Sequence, residues 1–203
     1  TVHLGRAVDF RLDRILGGLD PLLVAVATCA LGLPALRLSR DRGWIAGTAA
    51  EQRTYLFVAL LGALLTLPVV ALDLLGAFPE EMNIPLPVGL LAYPAIALVA
   101  EFAFHVIPLG LLAVLWRHDG RGGDLAVTLV ALPEPILQVA WGAGRSPAWA
   151  NALVGLHILV FNLFGLSLLR RHGFLSAYVL RLGYYGVWHL AWGELRLGLL
   201  FGE

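Results

Sequence analysis

The chain has 203 residues, of which 59% are hydrophobic and 14% charged, and 14 basic residues balance 14 acidic ones. Soluble domains carry about a quarter charged residues, so this composition indicates a membrane protein. The zero net charge gives no basic field for a nucleic-acid partner. The single cysteine, Cys29, excludes a disulfide within the chain and a cysteine-based metal site. We therefore expect an all-α, polytopic helix bundle in the lipid bilayer.

The first nineteen residues differ from the rest because charges are scattered through them and no continuous apolar run occurs. This pattern excludes a signal peptide. Apolar residues recur at helical spacing from Val8 to Leu19, with arginine and aspartate on the other faces. Residues 1–19 are thus predicted to form a short helix lying in the membrane interface.

Six later segments are apolar and long enough to cross about 30 Å of hydrocarbon as helices. Pro94 and Pro108 predict kinks in the third, and Pro133 and Pro135, on either side of Glu134, predict a disturbed fourth. We treat residues 1–203 as one membrane domain, with two scaffold helices in 20–77 and a four-helix core in 86–201. The predicted spans are 20–38, 54–77, 86–116, 124–142, 148–169 and 174–201.

Arginine is unevenly distributed between the loops. Eight arginines lie in the connections between helices 1–2, 3–4 and 5–6, against four on the other side, and the 2–3 loop, FPEEMN, contains none. The positive-inside rule then places these three arginine-rich loops in the cytoplasm and both termini outside. The expected location is the cytoplasmic membrane of a bacterium or archaeon.

Ionisable side chains inside apolar helices each cost roughly 2.5–3.5 kcal/mol on insertion scales, so they mark function or internal pairing. Helical spacing places Glu101 with His105 on one face of the third helix, and Glu134 with Gln138 on one face of the fourth. Glu194 and Arg196, near the end of the last helix, are interpreted as interfacial groups. The predicted buried polar network contains Glu101, His105, Glu134, Gln138, Arg181, Tyr185 and His189.

With these residues placed, 90–195 resembles the CPBP family, the CAAX-protease-like or Abi membrane proteins. Family members carry EExxxR, FxxxH and HxxxN or HxxxD motifs on successive helices. AEFAFH at 100–105 resembles the first motif, with Ala100 in place of the first glutamate, Glu101 kept and His105 in place of arginine. EPILQ at 134–138 falls on the second, with Gln138 for histidine. The third falls on Arg181xxxTyr185 or on His189xxxGly193.

The resemblance implies a metal-dependent intramembrane protease, and the departures from its motifs put that activity in question. In an active enzyme, Glu101 would be the general base, and His105, Glu134 and His189 would be the ligands of a divalent metal such as zinc. Gln138 would be a poor ligand and Arg181 none. If catalysis has been lost, the chain is instead a non-catalytic subunit or scaffold that binds other integral membrane proteins.

Two further classes of function stay open at this point. His105, His157 and His189 lie on three different helices, and two facing histidines can ligate haem, so a haem- or quinone-binding electron carrier is an alternative. Kinked helices with buried carboxylates also suit a transporter, although the sequence contains no repeat of halves. Of all these readings, the non-catalytic scaffold is the one we expect.

Overall fold

The computed structural model describes residues 20–47, 51–76, 78–116 and 121–202, and every regular element in them is helical. The prediction of a helical membrane bundle is confirmed, whereas the predicted interfacial helix of residues 1–19 lies outside the described residues. Ten α-helices occur in the described part: α1 Pro21–Asp41, α2 Gln52–Leu64, α3 Leu67–Leu74, α4 Gly89–Ala100, α5 Ile107–Leu115, α6 Arg121–Val130, α7 Pro133–Gly142, α8 Ala148–His172, α9 Phe174–Tyr185 and α10 Trp192–Arg196.

These helices join into longer rods. Within the described residues, five rods are long and apolar enough to cross a membrane: Pro21–Asp41, Gln52–Leu74, Gly89–Leu115, Leu125–Gly142 and Ala148–His172. The sixth predicted span is also a continuous helical rod, formed by α9, α10 and two π-helical segments, Gly186–Ala191 and Leu197–Phe201. It does not count among the five because its polar side chains lower its hydropathy.

Prolines accompany the interruptions in the second, third and fourth rods, because each removes one backbone donor, whereas the π-helical segments of the sixth rod contain no proline. Pro108 takes away the N–H that would bond to the carbonyl of Phe104, and a π-helical segment, Glu101–Val106, lies there instead. In it, the N–H of Ile107 bonds to the carbonyl of Phe102, five residues back. The rod Gln52–Leu74 also breaks before a proline, Pro68, but there a turn at residues 65–66 separates α2 from α3. This second break was not predicted from the sequence.

Helix α9 lies at the centre of the bundle and packs against α2, α4 and α8. The closest crossing is with α2, where glycine replaces any larger residue on both helices. A Cβ atom at Gly62 would overlap the backbone carbonyl of Leu180, and one at Gly183 would overlap that of Ala59. Such backbone-to-backbone approach is how membrane helices pack tightly without a hydrophobic driving force.

A one-residue turn links α8 to α9 and fixes their antiparallel arrangement. Gly173 ends α8 with a φ of 79°, in the region that favours glycine, and α9 begins at the next residue. Since α8 ends at this turn, the side chains of its last turn lie at the same end of the bundle as the start of α9. The central part of α9 then lies between α4 and α8, where its polar residues are shielded from lipid.

Candidate functional site

A buried arginine on α9 joins two carboxylates from two other rods. Arg181 is 2% exposed, and its Nε donates to Glu101 Oε1 at 2.6 Å. Its two terminal nitrogens donate to the two oxygens of Glu134, at 2.7 and 2.9 Å. This fork-to-fork pairing is the strong, directional geometry that distinguishes arginine from lysine. With His105, these residues form what we call the Arg181 cluster: Glu101, His105, Glu134 and Arg181.

His105 completes the cluster from the π-helical segment. Its Nδ1 lies 2.8 Å from Glu101 Oε2, and because an ionised carboxylate only accepts hydrogen bonds, Nδ1 is the donor. All four oxygens of Glu101 and Glu134 therefore already accept a hydrogen bond from protein. The other ring nitrogen, Nε2, is 4.0 Å from Glu134 Oε2 and has no hydrogen-bond partner in the described part of the chain.

The walls around the Arg181 cluster are aromatic and apolar. The guanidinium carbon of Arg181 lies 5.3 Å from the ring centre of Phe161, a cation–π distance, and Tyr185 lies beside the same guanidinium. Buried charges exert much stronger forces on each other than exposed ones. Removing Arg181 would therefore leave uncompensated negative charge, and breaking a buried ion pair typically destabilises a protein by about 3–5 kcal/mol.

Asn162 on α8 repairs the helix break beside Glu134. Pro135 has no N–H, so the carbonyl of Ala131, four residues earlier, lacks its usual helical donor. The side-chain amide of Asn162 donates to that carbonyl at 3.3 Å, while its own oxygen has no partner among the described residues. Asn162 was not among the residues predicted to form the buried polar network. The sequence did contain an indication of this role, since Asn162 is a polar residue in an otherwise apolar helix.

A second buried ion pair contains Arg196, which the sequence analysis interprets as an interfacial group. Arg196 is 0% exposed, and it pairs through two nitrogens with Asp73 of α3, at 2.6 and 2.9 Å. Its remaining N–H groups donate to the carbonyls of Phe78, Pro79 and Glu80, and Trp192 also donates to Asp73. We call Asp73, Trp192, Arg196 and these three carbonyls the Arg196 clamp. The second span, assigned only a scaffold role, thus supplies a buried charge.

The segment before α4 is tied to the last rod at further points. His189 Nδ1 lies 2.8 Å from Asn83 Oδ1, and its ring stacks on that of Tyr93 with centres 4.4 Å apart. The Tyr93 hydroxyl accepts the N–H of Ile84 at 2.6 Å, and Glu194 accepts that of Leu86 at 2.8 Å. These bonds give His189 and Glu194 structural partners in the loop.

The predicted metal ligands are therefore only partly brought together. His105 and Glu134 lie in one cluster, whereas His189 is bound to Asn83. Among the described residues, no group of three His, Cys, Asp or Glu side chains is arranged to hold a metal ion. Gln138, expected in the polar network, is only half-buried on α7.

The three histidines proposed for haem also have separate partners. His105 contacts Glu101, His189 contacts Asn83, and half-buried His157 lies 3.1 Å from the hydroxyl of Tyr184. Each ring thus already uses one nitrogen within its own pair.

Comparison of the chain with protein-family models, with curated proteins and with solved structures finds no match.

Proposed function

We propose that this chain is a non-catalytic, CPBP-like subunit or scaffold of a larger membrane-protein assembly. The observation that supports the proposal best is the occupation of both carboxylates in the Arg181 cluster. Arg181 takes one oxygen of Glu101 and both oxygens of Glu134, and His105 takes the remaining one. A general base must offer an oxygen to water, and a metal ligand must offer one to the ion. Here those oxygens hold helices together.

The identity of the paired cation strengthens this argument. Arginine stays protonated in proteins and cannot act as a ligand, so a metal could reach Glu101 and Glu134 only if Arg181 withdrew. The family motif that the chain resembles has a histidine on this helix, and it falls on Arg181xxxTyr185 or on His189xxxGly193. If it falls on Arg181, a site that would hold a metal cation in the family carries its own cation here.

The outer surface of the bundle suits contact with lipid or with other membrane helices. Exposed leucines occur on all five membrane-spanning rods, and α7 exposes Ile136, Leu137 and Trp141 on faces that no other described element covers. Membrane helices associate through packing and polar contacts, so a partner with small residues could dock against such a face. We further propose that the arginine-rich loops lie in the cytoplasm, as the positive-inside rule predicts.

An active metalloprotease is the second candidate, and one observation favours it. His105 Nε2 has no partner in the described part of the chain and lies 4.0 Å from Glu134 Oε2, so this edge of the cluster has an unused nitrogen. The π-helical segment that carries His105 is a type of irregularity often found at functional sites. In this reading Glu101 would act as the base after Arg181 moved away.

Purification of the full chain in mild detergent, followed by metal analysis and identification of co-purifying chains, tests the two candidates together. The scaffold proposal expects less than a tenth of an equivalent of transition metal per chain, and a reproducible membrane-protein partner. It also expects Glu101→Gln to lower the melting temperature clearly. Glu51→Gln, a change of the same chemistry at an exposed residue before α2, should leave it unchanged.

The opposite set of results would establish the protease. It consists of about one metal per chain, loss of peptidase activity on chelation, and a Glu101→Gln variant that keeps its melting temperature but loses that activity. A purified chain without any stable partner would overturn the assembly part of the proposal.

A further inference from the structure

Helix α8 presents a regular row of apolar side chains to the outside of the bundle. Trp149, Leu153, Leu156 and Val160 are each between 41% and 59% exposed. They follow one another at spacings of four, three and four residues. This alternation is the spacing at which two helices pack side by side with a left-handed crossing. We call these four residues the α8 seam.

His157 borders the α8 seam and is half-buried. On its inner side, Val154 and Phe161 pack into the apolar core that contains Tyr184. One ring nitrogen, Nε2, lies 3.1 Å from the Tyr184 hydroxyl. The other, Nδ1, has no hydrogen-bond partner within the described part of the chain. This nitrogen is therefore left for a group outside the described residues.

The position of His157 along α8 places it inside the hydrocarbon. The helix has 25 residues and is about 37 Å long, whereas the hydrocarbon core is about 30 Å thick. His157 is nine residues after Ala148, which is about 13 Å along the helix axis. Water and lipid headgroups lie outside the hydrocarbon, and a saturated acyl chain has no hydrogen-bonding atom to offer there. A polar nitrogen at this depth therefore needs a protein partner.

We propose that a transmembrane helix of a partner protein docks on the α8 seam and that its hydroxyl or amide side chain bonds to His157 Nδ1. The proposal rests on the assembly role proposed above, and it names the surface and the chemistry of the partner. A helix is the element that fits, because a partner segment in lipid must satisfy its own backbone groups.

The hydrogen-bonding chemistry of the pair explains why a hydroxyl or an amide is expected. The Tyr184 hydroxyl can donate to His157 Nε2 or accept from it, so Nδ1 is free to be either acceptor or donor. Serine, threonine, asparagine and glutamine side chains can also both donate and accept. Histidine and these four residue types form hydrogen bonds between neighbouring membrane helices.

Photo-cross-linking in membranes of the source organism tests the proposal, with benzoylphenylalanine placed at Leu156 of the full chain. The matched control position is Leu31 on α1, which is 63% exposed against 59% for Leu156. We expect one discrete protein product from position 156 and none from position 31. Mass spectrometry should map the linked peptide to a transmembrane segment with a hydroxyl or amide side chain within one turn.

The role of His157 is tested by His157→Phe in the same experiment. The yield of the product should fall about three- to tenfold, which is the effect of one hydrogen bond between membrane helices. His172→Phe, the same change at the last residue of α8, should leave the yield unchanged. If His157→Phe does not fold, as judged by its melting temperature, Val160→Trp replaces it, because a large ring on the exposed seam blocks a docking helix.

Four outcomes would overturn the docking proposal. They are equal yields at positions 156 and 31, a yield that neither His157→Phe nor Val160→Trp lowers, cross-links to lipid alone, and a product that consists of two copies of this chain. The assembly role has its own test in metal content and peptidase activity. A metal-dependent peptidase that still cross-links through position 156 would refute the non-catalytic role alone, and a metal-free chain without a cross-link would refute the docking surface.

Discussion

The two buried arginines of this protein are paired in different ways. Arg196 has five N–H donors and makes five hydrogen bonds, to one carboxylate and three backbone carbonyls. The Arg196 clamp therefore balances one positive charge with one negative charge. In the Arg181 cluster, one arginine faces two carboxylates, and a histidine nitrogen is left without a partner among the described residues.

The two arginines differ in how their charge is balanced and in how completely the polar groups around them are satisfied. A pair that serves packing alone is expected to be saturated, because each unmet buried polar group costs free energy. The Arg196 clamp fits this expectation. The Arg181 cluster has more acidic groups than a packing role requires, and it sits on a π-helical segment. This excess of acidic groups is one of the observations behind our proposal of a lost metal site.

The largest effect should come from Arg181→Met. This change leaves two carboxylates buried without their cation, so we expect a loss of more than the 3–5 kcal/mol typical of one broken buried pair. Arg196→Met leaves one carboxylate and should fall within that range. Reversible unfolding in mixed micelles, with increasing sodium dodecyl sulfate, measures both. Equal losses for the two variants would contradict the difference in charge balance.

Double variants that remove both charges of an ion pair give a sharper test. Asp73→Leu combined with Arg196→Met removes a whole pair, and replacing a buried pair by apolar residues is often nearly neutral. We expect this double variant to recover most of the stability lost by Arg196→Met. Glu134→Leu combined with Arg181→Met should recover much less, because Glu101 remains without an arginine and keeps only the hydrogen bond from His105. The unfolding free energies of the four variants measure this recovery. Full recovery by both double variants would contradict the pairing of Arg181 with two carboxylates.

The carboxylates themselves should respond unequally to neutral substitution. Asp73→Asn removes the only carboxylate of the Arg196 clamp, so we expect a loss of about 3 kcal/mol or more. Glu134→Gln leaves Arg181 paired with Glu101 and reduces the excess of negative charge, so its cost should be under half of that. Thermal melts followed by circular dichroism measure the ranking. A larger loss of stability for Glu134→Gln than for Asp73→Asn would contradict the excess of negative charge in the Arg181 cluster.

The sequence predicted much of this architecture and less of its pairing. The predicted bounds of all six helical rods agree with the structure to within a few residues, because long apolar runs indicate membrane helices and prolines indicate where they are interrupted. The convergence of Glu101, Glu134 and Arg181 followed from the cost of isolated charge in lipid. The pairing of Arg196 was not predicted, because its position near a helix end suggested only the interface. Its partners, Asp73 and the carbonyls of 78–80, are more than 100 residues away and leave no local signal.

The close crossing of α2 and α9 holds both arginines in place, since they lie on the rod that begins with α9. Gly183→Ala should cost about 1–3 kcal/mol, because the added Cβ meets the carbonyl of Ala59 and the helices must separate. Gly186→Ala is the matched control, since a Cβ there meets nothing within 4 Å. Unfolding in mixed micelles compares the two. A Gly186→Ala loss as large as that of Gly183→Ala would show that helix separation is not the cause.

The smallest effects should come from the amides that bond α8 to the fourth span. Asn162→Ala exposes the carbonyl that Pro135 leaves without a donor, beside the Arg181 cluster, whereas Asn151→Ala frees that of Val139 at the helix end. Asn162 is 0% exposed, whereas Asn151 is 9% exposed and lies in the first turn of α8, where water can more readily replace the lost bond. We therefore expect about 1 kcal/mol for Asn162→Ala and less for Asn151→Ala. A larger loss for Asn151→Ala than for Asn162→Ala would mean that the carbonyl of Ala131 finds another donor. The Arg181 cluster would then not depend on this bond from α8.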